Sequence, residues 1–373
     1  MKIVPLNLAD RGYRIYIENG LLSKVGSLLH PWRSAARLVV VSSRRILDLH
    51  GEALQRSLTE AGLPHEVLEI PDGERFKTLS TLESIYKRLA GLGVNRRTPV
   101  VALGGGVVGD VAGFAAASYL RGLPYIQVPT TLVAQIDSAI GGKTGVNLST
   151  GKNLVGAFYQ PRAVLVDPEL LLTLPRQELD SGLFEAIKYG VIADRKLYDR
   201  VVRQHRSYPG RDRVGLARMI VRCVEIKAAV VSGDERESQA RMVLNFGHTL
   251  GHAIEAATRY RRFTHGQAIG HGMILATRIA LQLDKIDPTE AETIQSDLRR
   301  LSPLPPLGNL TWKSIHHHMR SDKKFTDHRL RFVLPRRIGE VEIVEDTPPD
   351  VVEAVVREYL SQSRRARISH QGA

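Results

Sequence analysis

A run of glycines interrupts the chain where an apolar strand ends: Thr98-Pro99-Val100-Val101-Ala102-Leu103 passes directly into Gly104-Gly105-Gly106-Val107-Val108-Gly109-Asp110. A strand, a glycine turn and a helix in that order make one βα unit of a parallel sheet. Glycines let the backbone approach an anion closely, and the N–H groups that open the next helix, with its dipole, stabilise negative charge. The spacing departs from the dinucleotide fingerprint G-x-G-x-x-G, so such a turn serves either phosphate or close helix packing.

The rest of the first half repeats this grammar. Arg37-Leu38-Val39-Val40-Val41, Glu66-Val67-Leu68-Glu69-Ile70, Tyr125-Ile126-Gln127-Val128 and Ala163-Val164-Leu165-Val166 read as further strands, with helical patterns at 45–61 and 77–91 between the first pairs. That alternation implies right-handed crossovers and a mainly parallel sheet. Ile15-Tyr16-Ile17 is expected to add an edge strand. Beyond Leu174-Pro175 the character changes, and 176–193, 195–205, 213–233, 247–258, 266–283 and 288–300 are all helical by pattern. The expected fold is therefore α/β, with a Rossmann-like amino-terminal domain over 1–174 and an all-α domain over 175–373 whose last ten or so residues are disordered. A cleft between two such domains is the expected ligand site.

Composition narrows the function classes. With 373 residues, 43% of them apolar, the chain can bury two substantial cores. Cys223 is the single cysteine, which excludes an internal disulfide and thiolate metal sites, so any metal must be held by His and carboxylate. Neither a leader-like start nor about 18 uninterrupted apolar residues occurs, and a cytoplasmic protein with no membrane partner is expected. The net charge of +13 is partly peripheral, in Arg44-Arg45, Arg261-Arg262, Arg336-Arg337 and Arg364-Arg365-Ala366-Arg367. Nucleic acid is not the expected partner, because the cations form no aromatic-interleaved stripe and only 6% of residues are aromatic. Lys143, Lys152, Lys188, Lys227 and Arg241 instead stand in segments that look partly buried, where a cation needs an anionic partner.

Asn245-Phe246-Gly247-His248-Thr249-Leu250-Gly251-His252 places two histidines four apart on one helical face, and His265 opens another helix after a loop long enough to fold back. Two or three His with one carboxylate and an open position suit a catalytic divalent metal such as Zn²⁺ or Co²⁺. Spacing leaves the carboxylate open between Glu185, a charge amid apolar residues, and Glu255. His271 and His316-His317-His318 are expected on surface faces.

Taken together, the glycine turn, Leu120-Arg121-Gly122, Val128-Pro129-Thr130-Thr131-Leu132, Asp137 with Gly141-Gly142-Lys143-Thr144-Gly145-Val146-Asn147, Gly151-Lys152-Asn153, Glu185-Ala186-Ile187-Lys188-Tyr189-Gly190, Asn245-Phe246-Gly247-His248 and His265-Gly266 resemble 3-dehydroquinate synthases over roughly residues 70 to 335. The resemblance implies a homodimeric enzyme that cyclises 3-deoxy-D-arabino-heptulosonate 7-phosphate to 3-dehydroquinate with loss of phosphate. By the same resemblance NAD⁺ is consumed and regenerated within each turnover, and Glu185, His248 and His265 hold the metal while His252 contacts substrate. Around the substrate it sets Arg121, Asp137, Lys143, Lys152, Asn153, Lys188, Lys227, Arg241 and Asn245, with a lysine of Lys323-Lys324 closing over it. Around the cofactor it sets Glu74, Lys77, Gly105, Gly106, Val107, Asp110, Thr130 and Thr131, together with Thr173, Leu174 and Glu178; Asp137, Lys143 and Lys152 fall at its edge.

Two departures from the family pattern stand out. Gln267 replaces a common Glu after the His-Gly pair, where loss of charge is expected to alter metal affinity. Ser42-Ser43-Arg44-Arg45 replaces an acidic residue and an Asn that touch the adenosine ribose, which removes the repulsion against a 2′-phosphate. The nearest alternatives are a sibling cyclase acting on sedoheptulose 7-phosphate, disfavoured by the cations that a carboxylate demands, and an NAD(P)-dependent polyol dehydrogenase of similar fold, which would not need them.

Overall fold

The computed structural model describes the chain except for Pro209, Arg211, Ser238, residues 321–329 and residues 372–373. It forms two compact units, one of Met1–Pro175 with Ser207–Arg236 and one of Arg176–Arg206 with Glu237–Ala373. The helix Arg213–Gly233, expected in the second domain, packs instead on the first strand and on the turn Ala134–Ser138 of the first unit.

The strands of the first unit are β1 (Lys2–Leu6), β2 (Tyr13–Ile17), β3 (Leu38–Ser43), β4 (His65–Ile70), β5 (Val100–Gly104), β6 (Tyr125–Pro129), β7 (Lys143–Leu148), β8 (Gly151–Phe158) and β9 (Ala163–Val166). Seven of them form one sheet in the order β1-β2-β9-β6-β5-β3-β4, parallel throughout except for the antiparallel β1–β2 pair. The segment around Ile15 is thus one strand in from the edge, which β1 occupies. Strands β3, β5, β6 and β9 are buried along their whole length, as a parallel sheet covered on both faces requires. Alternation sends Val39, Val41, Val100 and Ala102 into one core with the helix Gly106–Ser118, and Leu38, Val40, Val101 and Leu103 into the opposite core with Leu54 and Leu58. The pair β7–β8 is a separate antiparallel hairpin within a motif whose glycines and polar residues disguise its strands from periodicity.

In the second unit the helices Arg176–Ala193, His248–Ala257 and His265–Gln282 lie where the sequence pattern expects them. The unit is not wholly helical: β10 (Phe332–Arg337) and β11 (Glu340–Val344) form a hairpin. The last helix, Pro349–Gln371, runs through most of the tail that was expected to be disordered. Residues Leu183 to Ile192 are buried on every side of the first of these helices, a pattern that marks an interior helix and that also buries Glu185 and Lys188.

Candidate metal centre and cofactor cradle

Glycines bring the helices of the second unit together. A Cβ on Gly272 would lie 1.9 Å from the Gly247 carbonyl oxygen, and one on Gly266 would lie 2.2 Å from that of Ser181. These contacts are possible only between bare backbones. Gly247 opens the helix His248–Ala257 in the left-handed region at φ +78°, and Thr264 caps the helix that begins with His265. Close helix approach therefore carries Glu185, His248 and His265, from three helices, to one point.

Their ligand atoms lie within 4.8 Å of one another. Nε2 of His265 is 3.2 Å from Glu185 Oε1 and Nε2 of His248 is 3.5 Å from the same oxygen, while Lys188 pairs with Oε2. Glu185 is 0% exposed. The other ring nitrogens are occupied: His248 Nδ1 is 3.1 Å from the Phe246 carbonyl and His265 Nδ1 is 3.3 Å from Glu255 Oε2. A carbonyl or carboxylate can only accept, so both Nδ1 atoms donate outward and both Nε2 atoms point at the shared Glu185 oxygen, where a bound cation would take the place of an Nε2 proton. Burial disfavours charge on His265, but Glu255 and Glu185 outweigh it and push the imidazole up to about 10, a measure of how strongly this point attracts positive charge. One carboxylate and two imidazoles with Nε2 presented fit a divalent metal of the Zn²⁺ or Co²⁺ kind.

His252 is half-buried beside them, its ring centroid 5.2 Å from that of His248 and 5.9 Å from that of His265. It also belongs to a second grouping with Glu255 and His265. Arg241 is buried, and Asn245 donates to Glu237 Oε1 at 2.7 Å. Glu178 stands exposed in the first turn of the helix Arg176–Ala193. Lys323 and Lys324 lie outside the described residues.

The first unit gathers a different set. Lys77, 4% exposed, donates to Asp110 and to Asn153, and burial pushes the Asp110 carboxyl up against the opposing pull of Lys77. Asn147, which the sequence reading left without a role, donates to Glu74 at 2.8 Å and accepts the Asn153 N–H at 2.9 Å; Lys152 lies 3.7 Å from Glu74. The Asn147 signal was its place in the Lys143-to-Asn147 motif. Lys227, from the helix Arg213–Gly233, binds the carbonyl of Asp137 at 2.7 Å and its carboxylate. Lys143 and Arg121 are exposed, contrary to the burial expected for Lys143.

The geometry of the glycine turn suits both of its possible purposes. A Cβ on Gly104 or Gly109 would strike Val108 or Gln127 at 2.6 Å, so these are packing glycines. One on Gly105 would meet Thr131 at 2.9 Å and one on Gly106 would meet the Ser138 hydroxyl at 3.0 Å, so these keep a cradle open where the helix Gly106–Ser118 begins, with Val107 in its first turn. The hydroxyls of Ser43 and Thr130, at the ends of β3 and β6, and of Ser138 are buried with no hydrogen-bond partner. Orphaned donors around a backbone cradle at a helix start fit a dinucleotide. Thr173, hydrogen-bonded to His50 at 3.0 Å, and Leu174 end the short helix that follows β9.

Both departures have a physical meaning. Gln267 Oε1 accepts the Thr264 N–H at 3.0 Å and completes a capping box, so it serves the helix start. Arg44 is exposed and lies 2.9 Å from Glu69, which brings a carboxylate to the strand end that lacks one of its own. His271 corrects its expectation: it is 3% exposed, held between the Tyr359 hydroxyl at 2.9 Å and the Pro305 carbonyl at 3.0 Å.

Comparison with known proteins then decides the family. Residues 67–181 match the model of the 3-dehydroquinate synthase N-terminal domain and residues 182–325 that of the C-terminal domain. The chain belongs to the 3-dehydroquinate synthase family. It is 44% identical to the 3-dehydroquinate synthase of Geobacter metallireducens, over 92% of this chain and 96% of the relative, and 42% identical to that of Koribacter versatilis, over 97% and 99%. Among solved structures, a 2-deoxy-scyllo-inosose synthase complexed with carbaglucose-6-phosphate, NAD⁺ and Co²⁺ superposes with TM-score 0.86 at 30% identity, covering 96% of this chain and all of that one. A 2-epi-5-epi-valiolone synthase from Streptomyces hygroscopicus with NAD⁺ and Zn²⁺ bound gives 0.86 at 28%, covering 95% and 99%. The glycerol dehydrogenase of Schizosaccharomyces pombe shares the fold at TM-score 0.65, 15% identity and coverage of 96% and 91%.

Proposed function

We propose that the protein is a 3-dehydroquinate synthase, a phosphate-eliminating lyase that cyclises 3-deoxy-D-arabino-heptulosonate 7-phosphate with NAD⁺ and a divalent metal. The observation that carries this reading is the buried Glu185 carboxylate faced by Nε2 of His248 and His265. These three hold the metal, and Gly105, Gly106, Thr130, Asp110 and Lys77 hold the dinucleotide. When bound, the metal supplies a Lewis acid for a substrate hydroxyl and NAD⁺ a reversible hydride acceptor.

The chain's own residues supply the rest. Lys188 neutralises the second Glu185 oxygen and fixes the carboxylate's orientation. His252, half-buried one helical turn from His248, is placed to move a proton at the substrate. Arg121, Lys143, Lys152, Lys227, Arg241 and Asn245 bind the carboxylate and phosphate, and Asp137 holds Lys227 in place. The dehydroquinate reading is favoured over the sibling cyclases because relatives at 40–44% identity are 3-dehydroquinate synthases, whereas the inosose and valiolone synthases stand at 28–30%. Among the described residues no helix is long and apolar enough to cross a membrane. A cytoplasmic homodimer completes the proposal.

Metal analysis of His248→Ala tests the carrying observation. The expected result is loss of bound metal and of turnover; full metal occupancy would remove His248 from the ligand set.

A further inference from the structure

We infer that Glu255 is the positioning residue for His265, setting the affinity of the Glu185, His248 and His265 site for its metal without ligating it. The inference rests on the metal reading above and adds the group that prepares it.

His248 and His265 present Nε2 to the same Glu185 oxygen, and each needs a partner on Nδ1 to do so. For His248 that partner is local, the Phe246 carbonyl two residues earlier. His265 has no such neighbour in sequence. Its Nδ1 meets Glu255 Oε2, 3.3 Å away, on the last turn of the preceding helix. Glu255 is 4% exposed, so its carboxylate is desolvated, which strengthens its pull on the imidazole. A carboxylate accepts and does not donate, which keeps a proton on Nδ1, makes Nε2 the nitrogen that gives up its proton to a bound cation beside Glu185 and makes the ring a stronger electron donor to that cation.

The backbone of Glu255 braces the same geometry. Its carbonyl accepts the Tyr260 N–H at 2.8 Å and the Thr258 hydroxyl at 3.0 Å, tying down the loop that delivers His265. Gln267, at the position where the family commonly places a charge, is committed to Thr264. Glu255 is therefore the acidic group that His265 meets on its Nδ1 side. The competing role is direct ligation, since His252, Glu255 and His265 also bring ligand atoms within 4.8 Å.

The test is a Co²⁺ titration of the metal-stripped full chain, following the visible bands of the bound ion, in the wild type, Glu255→Gln, Glu255→Ala and Gln267→Ala. Loss of an orienting partner is expected to weaken binding about 10–100-fold in Glu255→Ala and less in Glu255→Gln, whose amide oxygen still accepts from Nδ1. The bands at saturation are expected to match the wild type, because the ligands are the same. Gln267→Ala is expected to keep wild-type affinity. Unchanged affinity in Glu255→Ala, with or without a lower unfolding temperature, overturns the inference, as does a changed cobalt spectrum, which would make Glu255 a ligand. If the wild type itself binds no Co²⁺, the metal reading fails and not the role of Glu255.

Discussion

His248 and His252 lie one turn apart on one helix, yet His248 turns its Nε2 to Glu185 while His252 groups with Glu255 and His265. Their substitutions should therefore separate. His252→Ala is expected to keep the metal while losing about 10²–10⁴ in kcat, the usual worth of a positioned proton-transfer group; loss of metal from this variant would place His252 among the ligands. Gln267→Ala is expected to cost about 1 kcal/mol of stability, the value of a helix cap, in chemical denaturation, with turnover retained. Most of these residues were legible in the sequence because they stand in motifs. Glu255 was legible only as a rival ligand, since the choice between Glu185 and Glu255 depends on which carboxylate two imidazoles share and which meets a ring's far side, a matter of tertiary geometry.

Helix crossings and strand ends give the next set of consequences. Gly272→Ala forces a methyl to within 1.9 Å of the Gly247 carbonyl oxygen, so it should destabilise by about 1–3 kcal/mol or more and loosen metal binding together with the fold. His271 accepts from the Tyr359 hydroxyl and donates to Pro305, and burial holds it neutral, with its pKa down from 6.5 to about 4. Between those values the unfolded chain binds a proton that the native chain refuses. Stability is therefore complete above pH 6.5 and falls by up to about 3 kcal/mol as the pH drops toward 4; His271→Gln should flatten that part of the stability profile, and an unchanged slope would contradict the assignment. At the end of β3, Arg44 and Glu69 form an exposed pair in place of the ribose-reading acid. NAD⁺ is expected to be preferred over NADP⁺ by less than a hundredfold, about 2.7 kcal/mol, and Glu69→Gln should narrow that further in Kd measurements; a larger preference would make Arg44 a bystander. The main helices and the core strands were readable from periodicity. The hairpin β7–β8 was not, because short strands rich in glycine carry no clean alternation; β10–β11 went unread although Glu340-Val341-Glu342-Ile343 alternates, because it is a short hairpin at the end of a long helical series.

For the whole chain, what the sequence left open was how distant segments assort. The helix Arg213–Gly233 reads as one of a helical series, yet it belongs with the amino-terminal unit, where Lys227 ties to Asp137. Two histidines and a glutamate far apart in sequence come together within one unit as a group that could hold a metal, and the glycine turn with its orphaned hydroxyls lies within the other. The most direct measurement is a single incubation of the protein with catalytic NAD⁺, Zn²⁺ and 3-deoxy-D-arabino-heptulosonate 7-phosphate, following inorganic phosphate, 3-dehydroquinate and NADH together. Equal molar yields of phosphate and dehydroquinate far above the NAD⁺ supplied, with no accumulating NADH, are the expected result. Turnover of sedoheptulose 7-phosphate in preference to the carboxylated substrate, or stoichiometric NADH from a polyol, would contradict it.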